Sequence, residues 1–328
     1  MHSMESCLVI GAGISGLLAG LKLHENAVNV TVIEKSRGLG GRMATRRQDG
    51  AIFDHGAQFM TTRNRQFREM VERWLGQEVV KPWYIGPQGN MRYVGAQGMT
   101  TVPKFLAKKL TVHNRQTATA LAFEHNRWKV TCQKGEGGTV THEADFLILT
   151  CPVPQSLKLL LDSEIELDYD DEVELKRIQY RRCISVLAQL NGPAGLPAPG
   201  AMDLNHPLLR WIGDNSVKGI SDKPGTVTIH SSPQYAMQHW DSTDEDRIPP
   251  LLEAAKPFLK SAVEGASAHR WRYSEPTYLF KEKQPFRKPY YINDELSLGL
   301  CGDGFGGPRI EAAALSGLAL GEDLMRPL

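Results

Sequence analysis

Gly11, Gly13 and Gly16 fall in the spacing G-x-G-x-x-G, and an acid, Glu34, follows about 20 residues further on. Glycine at the first position permits a tight turn, at the second lets backbone approach a pyrophosphate, and at the third lets a helix pack closely on a strand. Glu34 can accept hydrogen bonds from both hydroxyls of a ribose. A second glycine cluster, Gly38, Gly40 and Gly41, runs into Arg42. Its amides and guanidinium can lie beside the same ribose and pyrophosphate, or the segment can be a solvated surface loop.

These residues need a strand, a turn, a helix and a second strand to position them. Ser6 to Ile10 reads as a buried strand, Ile14 to His24 as a helix, and Asn29 to Ile33 as the second strand, which makes a βαβ unit. The helix would then aim its unpaired N–H groups and positive dipole end at the phosphates. Near the other end, "SLGLCGD" reads as an apolar strand, and a helix is predicted from Pro308.

An NAD-type Rossmann domain needs only the first glycine cluster. FAD is longer, so more backbone must approach it, and the second cluster and the C-terminal strand supply that backbone. Asp303, after "LCG", can bind ribityl hydroxyls, and the last helix can point its N-terminus at a flavin ring that becomes anionic on reduction. The expected cofactor is FAD.

Between these ends, "AIFDHGAQF" reads as a strand and tight turn, followed by a helix over Arg65 to Trp74. Val112 to Phe123, Trp128 to Cys132 and Gly138 to His142 read as a meander, and Phe146 to Thr150 as a core strand. From about Cys183 to Tyr273, alternating strands are joined by the Pro/Gly-rich "NGPAGLPAPG" and a helix near Asp244 to Val263. Pro249, Pro250 and Pro257 should lie in that helix's first turn or kink it. The expected class is α/β: a Rossmann-type FAD-binding domain with a parallel sheet and β-meander, and a separate antiparallel-sheet domain. The FAD-binding part is assigned to residues 1–63, 96–162 and 290–328, and the substrate part to 64–95 and 163–289.

Six stretches, "VIGAGISGLLAGLKL", "EKSRGLGGRMATRR", "FDHGAQFMTTR", "YVGAQGMTTVPKFL", "HRWRY" and "CGDGF", resemble the renalase branch of the amine-oxidase-type flavoproteins. The first two indicate only the wider superfamily, whereas the others are more specific to the branch. The resemblance implies a three-layer Rossmann-type FAD-binding domain interrupted by an α+β antiparallel-sheet substrate domain, with non-covalent FAD. It also implies that isomeric dihydronicotinamides, reduced at ring position 2 or 6, pass a hydride to flavin, which O2 reoxidises to give hydrogen peroxide. A single dinucleotide fingerprint accords with this, because "KGEGGT" at Lys134 to Thr139 lacks a following helix. Around the fingerprint the expected cofactor contacts include Ala12, Ile14 and Ser15, then Lys35, Ser36 and Met43. Gly56, Ala57, Gln58 and Phe59 are expected along "DHGAQF", and Ala118, Thr150 and Pro152 in mid-chain. Gly302, Asp303, Arg309 and Ile310 complete the set.

For the reacting face, alternation in "TVTIH" puts Thr226, Thr228 and His230 opposite Val227 and Ile229. His230 could meet substrate or flavin, or be a histidine satisfied by its neighbours. Alternation in "AHRWRYS" groups His269, Trp271 and Tyr273 into an aromatic wall or an ordinary packing seam. Asn215 in "WIGDNSVK" is a possible amide contact, and Gln58 falls where relatives approach the flavin edge; either could equally be framework. No catalytic base is required, since a dihydropyridine becoming a pyridinium loses no proton.

The 328 residues carry a formal net charge of +1 and 41% hydrophobic residues, which suits a globular chain and gives no field to draw in nucleic acid. Five cysteines with no C-x-x-C pair suggest neither a disulfide framework nor a dithiol centre, and a reducing cytoplasm is expected. No metal, signal peptide or bilayer span is expected either. The expected partners are a small-molecule substrate, a dihydronicotinamide dinucleotide, and O2. A flavin amine oxidase, an aromatic hydroxylase and a non-catalytic FAD-fold binding protein are the alternatives.

Overall fold

In the computed structural model, which describes residues 4–326, the fingerprint strand Ser6–Ile10 lies inside a six-stranded sheet. The order is Tyr290–Asn293, Leu298–Cys301, Phe146–Leu149, Ser6–Ile10, Asn29–Glu34, Thr111–Asn114. All neighbours are parallel except the antiparallel edge strand Tyr290–Asn293. Phe146–Leu149 and Leu298–Cys301 are buried at every position, as strands covered on both faces must be.

The helices Ile14–His24 and Ile310–Leu324 pack against each other. Their contact is close because Gly317 lies on the backbone of Ser15, where a Cβ would stand 2.0 Å from the Ser15 carbonyl oxygen. The last helix starts at Ile310, not Pro308: Gly307 has φ +124° and Arg309 is still extended, so helical backbone begins only after them. A four-residue helix, Asp303–Gly306, precedes it and was not predicted.

The expected strand Val112–Phe123 is two strands. Arg115, with φ +56°, turns the chain between Thr111–Asn114, which edges the parallel sheet, and Gln116–Glu124, which joins Arg127–Lys134 and Thr139–Ala144 in the meander. "KGEGGT" forms the tight turn of that meander, with the Lys134 N–H donating to the Gly138 carbonyl at 2.9 Å.

The chain divides into two compact units. Among the described residues, one comprises those up to Gly41, Val102–Gln179, and those from Pro276; the other comprises Arg42–Thr101 and Tyr180–Glu275. Residues 42–63 and 96–101, assigned from sequence to the nucleotide-binding part, cluster with the second unit, and residues 163–179 and 276–289 with the first.

In the second unit a five-stranded sheet runs Ala201–Asp203, Leu209–Asp214, Thr226–Ser231, Tyr180–Leu190, Val263–Pro276. Val227 and Ile229 face a core with Ile184, Val186 and Ile212, covered by Tyr235, Leu251 and Ala255 from two helices. Thr226, Thr228 and His230 therefore share the other face, as the alternation predicts. Pro249 and Pro250 lie inside the helix Asp244–Ala255, beyond its first turn. The carbonyls they leave without a helical partner belong to Glu245 and Asp246, both exposed to water. All five cysteines are free, and among the described residues no helix is long and apolar enough to cross a membrane.

Candidate active site

The first unit builds the glycine turn by direct contact. The Gly11 N–H donates to the Ile33 carbonyl at 2.8 Å, and the Thr150 hydroxyl reaches the carbonyls of Ile10 and Gly11, both at 3.0 Å. A Cβ on Gly16 would stand 2.2 Å from the Gly11 carbonyl oxygen, so the fold itself demands glycine there. Gly13 differs. Its φ is −74°, and a Cβ would meet no protein atom within 4 Å. No contact among the described residues requires that glycine.

Gly13 is also the N-cap of Ile14–His24, without a side-chain cap bond and with no acid in the first turn. Glu34, buried, accepts from the Ala12 N–H at 3.0 Å and the Ser36 N–H at 2.7 Å, one bond to each carboxylate oxygen. Each oxygen keeps a lone pair for another donor. The second glycine cluster is fastened to the first, since the Gly40 N–H donates to the Ala12 carbonyl at 2.9 Å and Gly41 has φ +52°. Gly302, at φ +138°, follows the Leu298–Cys301 strand and is anchored through its N–H to Ser316 Oγ at 2.8 Å. Asp303 beside it is buried.

Not every expected contact is turned outward. Ala12 and Ile14 are buried, and Ser15 Oγ lies 3.2 Å from Cys301 Sγ. Lys35, Ser36 and Arg309 are exposed, whereas Ala118, Pro152 and Ile310 are half-buried. Arg42 belongs to the second unit and donates through Nη1 to the carbonyls of Tyr273 at 3.2 Å and Ser274 at 3.4 Å. Met43 is buried, and Ala57 donates its N–H to the Arg42 carbonyl at 2.8 Å.

The second unit organises its side chains around the turn after Ala51–Asp54. Asp54 and Lys218 form an ion pair at 2.7 Å with both side chains shut away from water. Such a pair is tolerable only when the remaining lone pairs are satisfied. Here Asp54 Oδ1 also accepts from Thr45 Oγ1 at 2.6 Å and the Met99 N–H at 2.8 Å. Asn215 accepts the Asp54 N–H through Oδ1 at 3.2 Å and donates through Nδ2 to the Thr226 carbonyl and Thr228 Oγ1. Its amide is thus engaged with the framework at both ends.

The pinned turn presents the His55 carbonyl to Trp271 Nε1 at 2.8 Å and to His230 Nε2 at 3.3 Å. The His55 ring stacks on Trp271 with centroids 5.3 Å apart, and His269 meets both rings edge-on at 4.8 and 4.3 Å. Gln58 donates to the carbonyls of Asp54 at 2.6 Å and Gly56 at 3.1 Å, and its Nε2 lies 3.5 Å from His230 Nε2. Gly56 permits this packing, because a Cβ would stand 2.0 Å from the Arg42 carbonyl oxygen and 3.2 Å from the Trp271 ring. Among the described residues, buried His55 Nδ1 and Gln58 Oε1 have no hydrogen-bond partner.

Burial lowers all three imidazole pKa values. His55 falls to about 3, with His269, Arg46 and His230 adding repulsion. His230 falls to about 4 despite its bond to the His55 carbonyl, and His269 is lowered by burial and Arg46. At neutral pH the cluster is uncharged. The structure thus brings together His230, Trp271 and Gln58, and adds His55, Asp54 and Lys218, which the sequence analysis did not select. The signal was an acid and a histidine closing an apolar strand just before a glycine, in "FDHG".

Comparison with known proteins agrees with this architecture. Residues 9–74 match the NAD(P)-binding Rossmann-like domain family, and residues 83–280 match the flavin containing amine oxidoreductase family. Renalase of Mus musculus is 24% identical over 98% of this chain and 99% of its own. A mitochondrial protoporphyrinogen oxidase of Nicotiana tabacum is 48% identical over only 18% of this chain and 12% of its own. Among solved structures, a putative protoporphyrinogen oxidase from Exiguobacterium sp. 255-15 superposes with a TM-score of 0.72 at 14% identity, covering 98% of both chains. A fatty acid isomerase from P. acnes gives 0.70 at 14% identity, covering 98% of this chain and 99% of its own. The chain belongs to the flavin containing amine oxidoreductase family and is a flavin-dependent oxidoreductase.

Proposed function

We propose that this protein oxidises dihydronicotinamide dinucleotides reduced at ring position 2 or 6, giving NAD+ or NADP+, with non-covalent FAD as acceptor and O2 as final oxidant. The Gly11–Gly16 turn and the helix N-terminus behind it would hold the pyrophosphate of FAD. Glu34 would take the ribose hydroxyls through its remaining lone pairs, and Asp303 the ribityl chain. The open space at Gly13 fits this assignment, because a glycine the chain itself does not need is explained by a ligand that approaches the backbone there. When bound, FAD supplies the hydride acceptor and passes two electrons to oxygen, which leaves as hydrogen peroxide.

The observation that carries the substrate assignment is the uncharged His55, His230 and His269 cluster beside Trp271. With pKa values of about 3 and about 4, His55 and His230 are poor bases at neutral pH. A dihydropyridine needs none, since losing a hydride turns it directly into a pyridinium. Neutral rings do not repel that cationic product, and the Trp271 face attracts it. Positioning, rather than proton abstraction, is then the contribution of His230 and Trp271.

The test is anaerobic stopped-flow mixing of the purified yellow protein with 2- and 6-dihydro-NAD(P), ordinary 4-dihydro-NADPH, and benzylamine. Fast bleaching by an isomeric donor, with colour and peroxide returning on admission of O2, is the expected result. Equal or faster bleaching by the amine would overturn the proposal in favour of amine oxidation.

A further inference from the structure

Across three adjacent strands of the second unit's sheet, Asp203 stands opposite Trp211, and Trp211 opposite His230. Directly opposed residues in an antiparallel sheet project to the same face, so carboxylate, indole and imidazole form one row. At its outer end is Arg92, whose side chain is 11% exposed. The guanidinium carbon lies 4.0 Å above the Phe59 ring, 4.9 Å from that of Tyr84 and 5.7 Å from that of Trp211. One nitrogen donates to the Tyr84 hydroxyl, and the other pairs with Asp203 Oδ2 at 3.1 Å.

The two partners are held very differently. Arg92 is clamped among aromatic rings, whereas the Asp203 side chain is 63% exposed, on an edge strand, and among the described residues no other bond or ion pair restrains it. An exposed carboxylate on a pre-positioned guanidinium is worth little and is readily exchanged for another oxyanion. A second donor waits beside it: buried Trp211 Nε1 has no partner among the described residues. Glycine lies against both donors. A Cβ on Gly213 would come within 2.8 Å of the indole nitrogen, and one on Gly86 within 2.8 Å of Arg92 Nε.

We propose that Arg92 is a phosphate-recognition residue, which exchanges the Asp203 carboxylate for the pyrophosphate of the dinucleotide substrate with Trp211 Nε1 as a supporting donor. This rests on the substrate class proposed above, and it adds what distinguishes a dinucleotide from a bare nicotinamide ring. His230 and Asp203 stand two strands apart, about 10 Å, a span comparable with the distance from the ring of a nucleotide to its phosphates. Asp203 then acts as a placeholder that neutralises Arg92 until substrate arrives, and as a filter against uncharged ligands.

The experiment is equilibrium titration of the holoenzyme with NAD+, nicotinamide riboside and inorganic pyrophosphate, followed by tryptophan fluorescence and flavin absorbance. Wild type should prefer NAD+ to the riboside. Asp203→Asn, a surface change, should tighten both NAD+ and pyrophosphate and leave the riboside unchanged. Arg92→Gln should weaken NAD+ by about 10-fold to 100-fold, the worth of a charge-assisted hydrogen bond, and so remove the preference. Should Arg92→Gln fail to fold, Asp203→Asn still decides. If NAD+ and pyrophosphate bind Asp203→Asn no more tightly than wild type, or if all three ligands shift together, Arg92 is a structural clamp and the proposal is overturned. The pyrophosphate titration requires no turnover, so a protein that no dihydronicotinamide bleaches would sink the substrate assignment while leaving this result to stand or fall separately.

Discussion

The carbonyl oxygen of His55 accepts from Trp271 Nε1 at 2.8 Å and from His230 Nε2 at 3.3 Å, so one backbone atom aligns the two rings. Removing one ring therefore leaves the other anchored. His230→Ala should slow anaerobic flavin reduction by roughly 10-fold to 100-fold, because a misplaced donor loses its near-attack geometry. Reoxidation by O2 and FAD content should change little. Stopped-flow absorbance reads both half-reactions, and reduction at the parental rate would assign His230 to the framework.

Gly13 and Gly16 should separate binding from folding. The Cβ of Gly13→Val would meet no protein atom within 4 Å, so the variant should fold and melt like wild type stripped of cofactor, yet purify colourless. Gly16→Ala drives a methyl onto the Gly11 carbonyl, and overpacking of that kind costs about 1–3 kcal/mol. Its Tm should fall even without FAD. A yellow Gly13→Val protein with parental FAD content would overturn the placement of pyrophosphate at this turn.

Acid should destabilise the second unit over a definite window. His55 and His230 carry folded-state pKa values of about 3 and about 4 against an ordinary value of 6.5. Between those limits the unfolded chain binds more protons, so stability is full above pH 6.5 and declines as pH falls toward 4. Each such histidine gives a slope of about 1.4 kcal/mol per pH unit within its window. Denaturant titrations from pH 7.5 to 4.5 should show the decline, and His230→Gln should flatten it. A midpoint that ignores pH in this range would contradict the neutral cluster.

The Asp54–Lys218 pair should be costly to break from one side. Lys218→Met leaves a buried carboxylate and should destabilise by about 3–5 kcal/mol. Asp54→Asn with Lys218→Met should recover part of that, because an asparagine oxygen can still accept from Thr45 and Met99. A double-mutant cycle on denaturation midpoints measures the coupling, and strict additivity would mean that the two charges act independently.

The nucleotide cradle was legible because its parts are local: a strand, a glycine turn, a helix and an acid within one βαβ unit. Arg115 was not, since "HNRQTA" carries no glycine or proline to mark the turn and the polar alternation continues through it. Of the two readings open for Asn215, the framework one needed the bond from the Asp54 N–H to be seen, and Asp54 lies 161 positions earlier. The Arg42 guanidinium is bonded to the carbonyls of Tyr273 and Ser274, contacts that no local spacing encodes. Lys218 escaped notice for the same reason. A buried lysine is recognisable only with its partner in view, and Asp54 lies 164 positions earlier.

The contact of Gly317 with the Ser15 backbone, together with the pairing of Leu298–Cys301 beside Phe146–Leu149, imposes an order on synthesis. The fingerprint strand emerges from the ribosome early, but the helix that covers Ile14–His24 and the strand that flanks its sheet are made last. At about 5–20 residues per second, the apolar faces of Ser6–Ile10 and Phe146–Leu149 remain without those neighbours for some seconds to tens of seconds. The nascent chain in that interval should be a client of holdase chaperones. Truncation before Leu298 should lead to aggregation rather than to a smaller soluble nucleotide-binding domain.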